Sequence, residues 1–476
     1  MNTLAIDQGT SSTKALVFGA HRDVLAQAEV AVSPRATPQG GVEHDPEALW
    51  QSVVAASREA LAAAGEPVGA LGLSNQGETV LAWDRATGRP LSQAVVWQDR
   101  RAVEVTDALA DRSGELEALS GLKLDPYFAA PKMAWLRRHV TTGGVVTTSD
   151  VWLLHKLCGA FATDTATASR TLLLDLDTGA WSPAACEAFG VGAAELPEIV
   201  PCAAVIGETT VFGAPIPVAG ACVDQQAALF AEGCHRAGEA KCTFGTGAFL
   251  LATVGSTAAR SRAGLVGSVA WRLGRETTYC LDGQVYTAGA AVSWLQEVGL
   301  IDRASDLDDL GGAVDSAGGV VFVPGLAGLA APFWKPAARG AFVGLSLGTH
   351  RAQLVHAVCE GIAAEVALLA QAAAADMGRP LGRLRVDGGL TRSSTLMQIQ
   401  ADLLQAPVEV YPFPHATALG VAAFARLGAG LATDPADAVG TWHPAAVFEP
   451  RISADEAATR LTTWHAIADA TMGFHA

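Results

Sequence analysis

Residues 3–18 read TLAIDQGTSSTKALVF, and residues 240–254 read AKCTFGTGAFLLATV. In the first stretch Thr3–Ile6 has the character of a buried strand. Asp7-Gln8-Gly9-Thr10-Ser11-Ser12 reads as a tight turn, and Lys14–Phe18 is apolar again, so the unit reads as a β-hairpin. The second stretch repeats the plan. Ala240–Phe244 leads into Gly245-Thr246-Gly247, and Phe249–Val254 runs on as a strand. Two strand–Gly/Thr turn–strand units half a chain apart predict an internal duplication. Helical patterns lie between them. Pro46–Ala64 has Asp45 as N-cap and Pro46 at the first helical position. Ala352–Ala375 and Thr395–Leu404 follow the 3.6-residue period. Ala70–Leu73, Val80–Asp84, Val320–Pro324 and Leu384–Val386 read as strands. This mixture predicts an α/β protein. The boundary falls near residue 233, giving halves 1–233 and 234–476. No Ser- or Pro-rich linker marks it, so the halves are expected to pack closely around a cleft.

Composition narrows the classes. The chain has 476 residues, half of them hydrophobic and 17% charged, which excludes a disordered or fibrous protein. Lys+Arg number 32 against 48 Asp+Glu, a formal charge of −16 without a basic stripe, so nucleic acid is not an expected partner. Apolar runs such as Val320–Phe333 are broken by Gly and Pro and fall short of a membrane span. The N-terminus enters a strand at once, without a signal-peptide layout. Eight cysteines without a CxxC pair favour reduced thiols and a cytoplasmic location.

Several short stretches carry chemistry. In the first turn, the small residues Gly9, Thr10 and Ser11 let backbone N–H groups approach an anion, and Lys14 adds charge; an ordinary hairpin turn looks the same. Gly245, Thr246 and Gly247 repeat the arrangement. Neither turn is a Walker A loop or a dinucleotide fingerprint. Asp7 ends one buried strand, and Asp224 follows the apolar segment Ile216–Val223. A carboxylate so placed can hold Mg²⁺ or accept a proton, or it can simply cap a turn or helix. Glu78 sits beside apolar residues, where burial is costly unless it is paired or binds something. Trp97 would wall a small-molecule pocket, although a core Trp and a surface Glu fit the composition as well. Gly388 and Gly389 end a strand and allow a flat ligand, or simply a loop, to come close.

Taken together these stretches resemble the FGGY carbohydrate kinase family, nearest to its glycerol kinases. The likeness runs in order over residues 1–430. It includes LAIDQGTSSTKALVF, GGVEHDPEALW, SNQGETVLAWDRATGRPL, AVVWQDRR, DPYFAAPKMAWL, ASRTLLLDL, VDQQAALF, KCTFGTGAFLL, PGLAGLAAPFW, RGAFVGL and RVDGGLTRSSTLMQIQADLL. The resemblance implies two actin-like (ribonuclease-H-like) ATPase domains flanking a central cleft. It implies transfer of the γ-phosphoryl of ATP, with Mg²⁺, to a hydroxyl of a small polyol or sugar. Asp224 would be the catalytic base, and Asp7 with Asp224 the metal-side carboxylates. Gly9, Thr10, Ser11 and Lys14 would form the first phosphate loop, and Gly245, Thr246 and Gly247 the second. Gly289, Ser293, Gly388, Gly389 and Ser393 would line the nucleotide site. Gly77, Glu78, Trp97, Tyr127, Asp224, Gln225 and Phe249 would line the acceptor site. The family's dimers and tetramers make a homodimer or homotetramer the expected assembly. Glycerol kinase proper, acting on glycerol to give glycerol 3-phosphate, is one alternative; a non-catalytic actin-like sensor of sugar or nucleotide is another, and retention of Asp7, Asp224 and both loops speaks against the sensor.

Three departures stand out. Glycerol kinases carry an arginine between the Gln and Glu of their NQRET motif, and this chain has Gly77. Losing its charge-assisted hydrogen bonds removes about 1.5–3 kcal/mol, and glycine is expected to leave a void that a longer polyol or a sugar fills. Ser293 stands where a glutamine is common. The stretch between Gly207 and Pro215 is short and lacks the basic Gly-rich loop that binds fructose 1,6-bisphosphate in some glycerol kinases, so that regulation is not expected.

Overall fold

The computed structural model describes residues 1–473. Its first sheet has six strands in the order Ala203–Thr209, Ile216–Val223, Val68–Asn75, Asn2–Gln8, Ser12–Phe18, Val24–Ala31. Asn2–Gln8 pairs antiparallel with Ser12–Phe18, which pairs antiparallel with Val24–Ala31. On its other side Asn2–Gln8 runs parallel to Val68–Asn75, which runs parallel to Ile216–Val223.

The seven-stranded second sheet repeats this core. Ala240–Phe244 is antiparallel to Ala248–Gly255, which is antiparallel to Glu276–Val285. Ala240–Phe244 is also parallel to Leu384–Asp387, and that strand is parallel to Val408–Val410. Three antiparallel strands followed by two parallel ones therefore occur twice, as the duplicated hairpins predicted. The hairpin strands are longer than expected, so Asp7 lies inside a strand rather than in the turn.

The helices come out close to their predicted bounds. Pro46–Ala64 starts at Asp45, whose carboxylate accepts from the Glu47 N–H. The pattern at 352–375 becomes Arg351–Met377, and Thr395–Leu404 becomes Ser394–Leu404. Arg351–Met377 is long and apolar enough to cross a membrane by length and composition alone, but 78% of its most apolar window is buried inside the fold.

Helix Ala416–Gly428 belongs by sequence to the second half, yet it packs on the first sheet and on helix Asp224–Ala231. Small residues permit this. A Cβ on Gly72 would lie 2.4 Å from Val421 O, and one on Gly420 would lie 1.9 Å from Ala227 O. The first sheet is thus covered on one face by Pro46–Ala64 and Ser149–Cys158 and on the other by Ala416–Gly428. A separate five-stranded sheet in the first half contains Val80–Trp83 and Ala94–Val95. It places Glu78 just before one of these strands and Trp97 just after the other.

Candidate active site

Both hairpin turns open on one cavity of about 380 Å³ between the two sheets. Twelve of the residues singled out in the sequence meet there: Thr10, Ser11, Gly77, Glu78, Trp97, Tyr127, Asp224, Gln225, Gly245, Thr246, Gly247 and Phe249. Parallel strands explain the convergence. The first turn, Asn75 and Val223 all lie at the same end of neighbouring strands, with Gln8 opposite Asn75 and Asn75 opposite Val223. Asp224 is the next residue and opens helix Asp224–Ala231. Ligands of open α/β sheets gather at such ends.

Asp224 Oδ1 accepts from the Gln225 N–H at 2.7 Å. Burial, then the neighbouring charge of Asp7, pushes its carboxyl up to about 6, against the pull of the Gln225 N–H and of Lys241. Burial likewise pushes Asp7 up to about 6, while Lys14, opposite it in the hairpin, pulls it down. Two carboxylates held close enough for one to raise the other's pKa form an oxygen-rich, under-neutralised pair. That is the donor chemistry a hard divalent cation such as Mg²⁺ takes.

The acceptor wall is aromatic. Trp97 meets Tyr127 edge-on at 5.7 Å between ring centroids, and it meets Phe249, from the second sheet, at 6.2 Å. Its indole N–H donates to Thr10 Oγ1 at 2.9 Å, which ties this wall to the first turn. Lys132 is buried and donates to the carbonyls of Pro126, Tyr127 and Phe128, fixing the segment that presents Tyr127. Desolvation lowers the pKa of this lysine to about 7.

Glu78 is 4% exposed, and it has φ of +56°. That is a strained conformation for a residue with a side chain, held here by surrounding structure. Its partner is Arg170, which the sequence reading did not pick out. Arg170 Nε donates to Glu78 Oε1 at 2.6 Å. Nη1 lies 2.6 Å from Asp282 Oδ2, as an ion pair without hydrogen-bond alignment. Burial raises the pKa of both carboxyls, and Arg170 pulls both back down. The reading of Glu78 as a surface residue is therefore corrected. The rule that a buried carboxylate needs a partner was the signal for a missing cation, but it did not say which one.

Gly77 lines the cavity itself. A Cβ at position 77 would lie 2.9 Å from Val223 Cγ2 and meet nothing else within 4 Å beyond its chain neighbours, so an arginine there would have to displace this one methyl.

The remaining predicted residues, Asp7 among them, are not on the lining of this cavity. Gly9 forms the first turn, its N–H donating to Ser12 O. Lys14 is not brought to the cavity; with Gln27, Glu29, Glu59 and His415 it borders a separate hollow of about 190 Å³. Gly289 opens helix Gly289–Glu297 against the second turn, its N–H donating to Gly245 O at 2.9 Å. Gly388 has φ of +96°, and a Cβ there would meet Phe244 O at 2.4 Å, so only glycine fits beside that strand end. Gly389 faces open space. Ser393 caps helix Ser394–Leu404 and donates to Asp308 Oδ1 at 2.9 Å. Ser293 is exposed on helix Gly289–Glu297.

Residues 2–231 match the N-terminal domain of the FGGY family of carbohydrate kinases, and residues 240–429 match its C-terminal domain. The chain belongs to the FGGY family of carbohydrate kinases. A glycerol kinase of Thermus brockianus is 44% identical over 466 residues, covering 94% of each chain. One of Alkalilimnicola ehrlichii is 44% identical over 482 residues, covering 97% of this chain and 96% of that one. Among solved structures, Plasmodium falciparum glycerol kinase with ADP superposes with a TM-score of 0.92 at 30% identity, covering 99% of this chain and 98% of that one. A xylulose kinase from Rhodospirillum rubrum gives 0.88 at 25% identity and 99% of both chains. FGGY kinases are ATP-dependent phosphotransferases with an alcohol acceptor, using ATP with Mg²⁺, and this is the activity of the chain.

Proposed function

We propose that the acceptor of this FGGY kinase is a small neutral polyol or sugar other than glycerol, bound against Glu78, Trp97, Tyr127, Gln225 and Phe249. The observation that carries this reading is the single cavity that joins Asp224 and both Gly/Thr turns to an acceptor wall carrying Gly77 in place of arginine. Glycerol itself is the second reading, favoured by the 44% identity to glycerol kinases.

In this reading the ATP phosphates lie against Gly9, Thr10 and Ser11 and against Gly245, Thr246 and Gly247, whose N–H and hydroxyl groups offset their charge. The adenosine lies on the side of Gly289, Ser293, Gly388, Gly389 and Ser393. Asp7 and Asp224 would hold Mg²⁺, which would supply charge neutralisation for the phosphates. Asp224 orients the acceptor hydroxyl and takes its proton as the new O–P bond forms and the β–γ bridge breaks, leaving ADP and a phosphate ester. Trp97, Tyr127 and Phe249 exclude water, which would otherwise compete as acceptor. The two domains divide at 233/234. The spacing of the eight cysteines, without a CxxC pair, suits a reducing, cytoplasmic setting.

The test is ADP release with Mg·ATP across glycerol, erythritol, threitol, ribitol, xylitol, arabinitol, xylulose and ribulose, with Asp224→Asn as blank. A preference for a C4 or C5 acceptor supports the reading. A preference for glycerol refutes the first and establishes the second.

A further inference from the structure

The cavity wall beside Asp224 is made by Gly77 and Val223, whose side chains are a hydrogen and an isopropyl group. They are neighbours, since a Cβ at 77 would stand 2.9 Å from Val223 Cγ2. Valine is stiff at χ1 and does not swing aside cheaply. Nothing cationic nearby takes over the recognition of hydroxyls. Arg170 is the single Lys or Arg on the described lining, and its guanidinium is held by Glu78 and Asp282. The carboxylates Glu78, Asp224 and Asp282 on the same lining outnumber it. An acceptor hydroxyl turned squarely on Gly77 and Val223 gives up water and finds no polar group on either side chain, whereas a C–H or methyl group loses nothing.

We propose that Val223, together with Gly77, is a specificity determinant that selects a neutral acceptor presenting a hydrocarbon face beside the reacting hydroxyl, that is, a deoxy-polyol or deoxy-sugar. This rests on the kinase reading of the same cavity. A sugar acid is excluded by the surplus of carboxylates.

The test uses the full-length chain with Mg·ATP and acceptor pairs differing by one hydroxyl: glycerol against propane-1,2-diol, erythritol against 1-deoxyerythritol, and xylulose against 1-deoxyxylulose. Gluconate is added as the acid. In at least one pair the wild type is expected to favour the deoxy member in kcat/KM by roughly 5- to 150-fold, the range an unpaired hydroxyl imposes. Val223→Thr, which swaps a methyl for a hydroxyl at constant shape, should cut that ratio at least fivefold through the acceptor KM and leave the KM for ATP unchanged. Should this variant fold poorly, Val223→Ala opens the same wall and should also lower the ratio. Preference for the hydroxylated member in every pair, a ratio insensitive to Val223, or efficient use of gluconate would overturn the proposal while leaving the kinase reading intact. Absence of acceptor-dependent ADP release throughout would instead overturn the kinase reading, and this proposal with it.

Discussion

Replacing Asp224 by Asn is expected to cut turnover by orders of magnitude and, at neutral pH, to stabilise the fold. The carboxyl has a pKa of about 6 in the folded chain, against 3.8 for the free group. Between those values the folded state holds a proton that the unfolded state has released, so stability falls as pH rises through the window. Above it the deficit is constant. Two units at 1.36 kcal/mol each amount to about 3 kcal/mol, and nearer 2 kcal/mol once partial solvent contact is allowed for. Asn keeps the oxygen that accepts from the Gln225 N–H and removes the charge that Asp7 opposes. The assay is denaturant unfolding of the ligand-free protein at pH 7.5 and pH 4.5, alongside ADP release. The variant should gain about 2 kcal/mol at pH 7.5 and about a third of that at pH 4.5, while kcat falls roughly 10²- to 10⁴-fold, the usual contribution of a positioned base. Equal stability at both pH values would refute the electrostatic argument. A kcat within tenfold of wild type would refute the role as base.

Gly77→Arg alone should impair the enzyme, because its Cβ meets Val223 Cγ2 at 2.9 Å; Gly77→Arg with Val223→Gly should fold better and use glycerol better than the single variant, read as kcat/KM. Arg170→Gln leaves Glu78 and Asp282 buried without their cation and should cost about 3–5 kcal/mol. Since burial raises both carboxyl pKa values, protonation relieves that loss, and the deficit in unfolding free energy should shrink as pH falls. Trp97→Phe removes the donor to Thr10 Oγ1. A net hydrogen bond of about 1 kcal/mol predicts a fivefold or so rise in the KM for ATP, with more acceptor-independent hydrolysis as water enters.

What the sequence discloses is what lies contiguous in it. Each phosphate turn is a run of three small residues bracketed by strands, and Asp224 directly follows an apolar strand, so their types and places are legible together. The partners that complete the acceptor site are not contiguous. Arg170 comes just after the short helix Thr165–Ser169, Asp282 from a strand of the second sheet, and they meet only where the two sheets face each other. Val223 reads as an ordinary strand residue. Its contact with Gly77 depends on the register that sets it opposite Asn75, and register between distant parallel strands is not written in either strand alone. The crossing of helix Ala416–Gly428 is hidden for another reason. Its Ala/Gly-rich sequence suits close packing against any smooth surface and does not name the sheet it covers.

That crossing helix gives the alanine and glycine content a mechanistic reason. Asp224 ends a strand of the first sheet, which fixes it relative to the first turn through two neighbouring strands. It also opens helix Asp224–Ala231, which touches strands Ala240–Phe244 and Ala248–Gly255 on either side of the second turn. Helix Ala416–Gly428 occupies the equivalent place after the last parallel strand of the second sheet, and it returns to the first. The two helices press together where Gly420 faces the Ala227 carbonyl with no room for a side chain between them. Backbone packed on backbone leaves little freedom for the base to shift against either phosphate turn. Adjustment to substrate is then left to the outer part of the cleft, where Trp97 of one half meets Phe249 of the other by the edges of two rings, a contact that can slide at small cost. Chemistry sits at the rigid joint, and Val223, the residue before Asp224, shares that joint while adjustment to substrate is left to the rim; the proposed specificity substitutions at Gly77 and Val223 lie outside the phosphate turns.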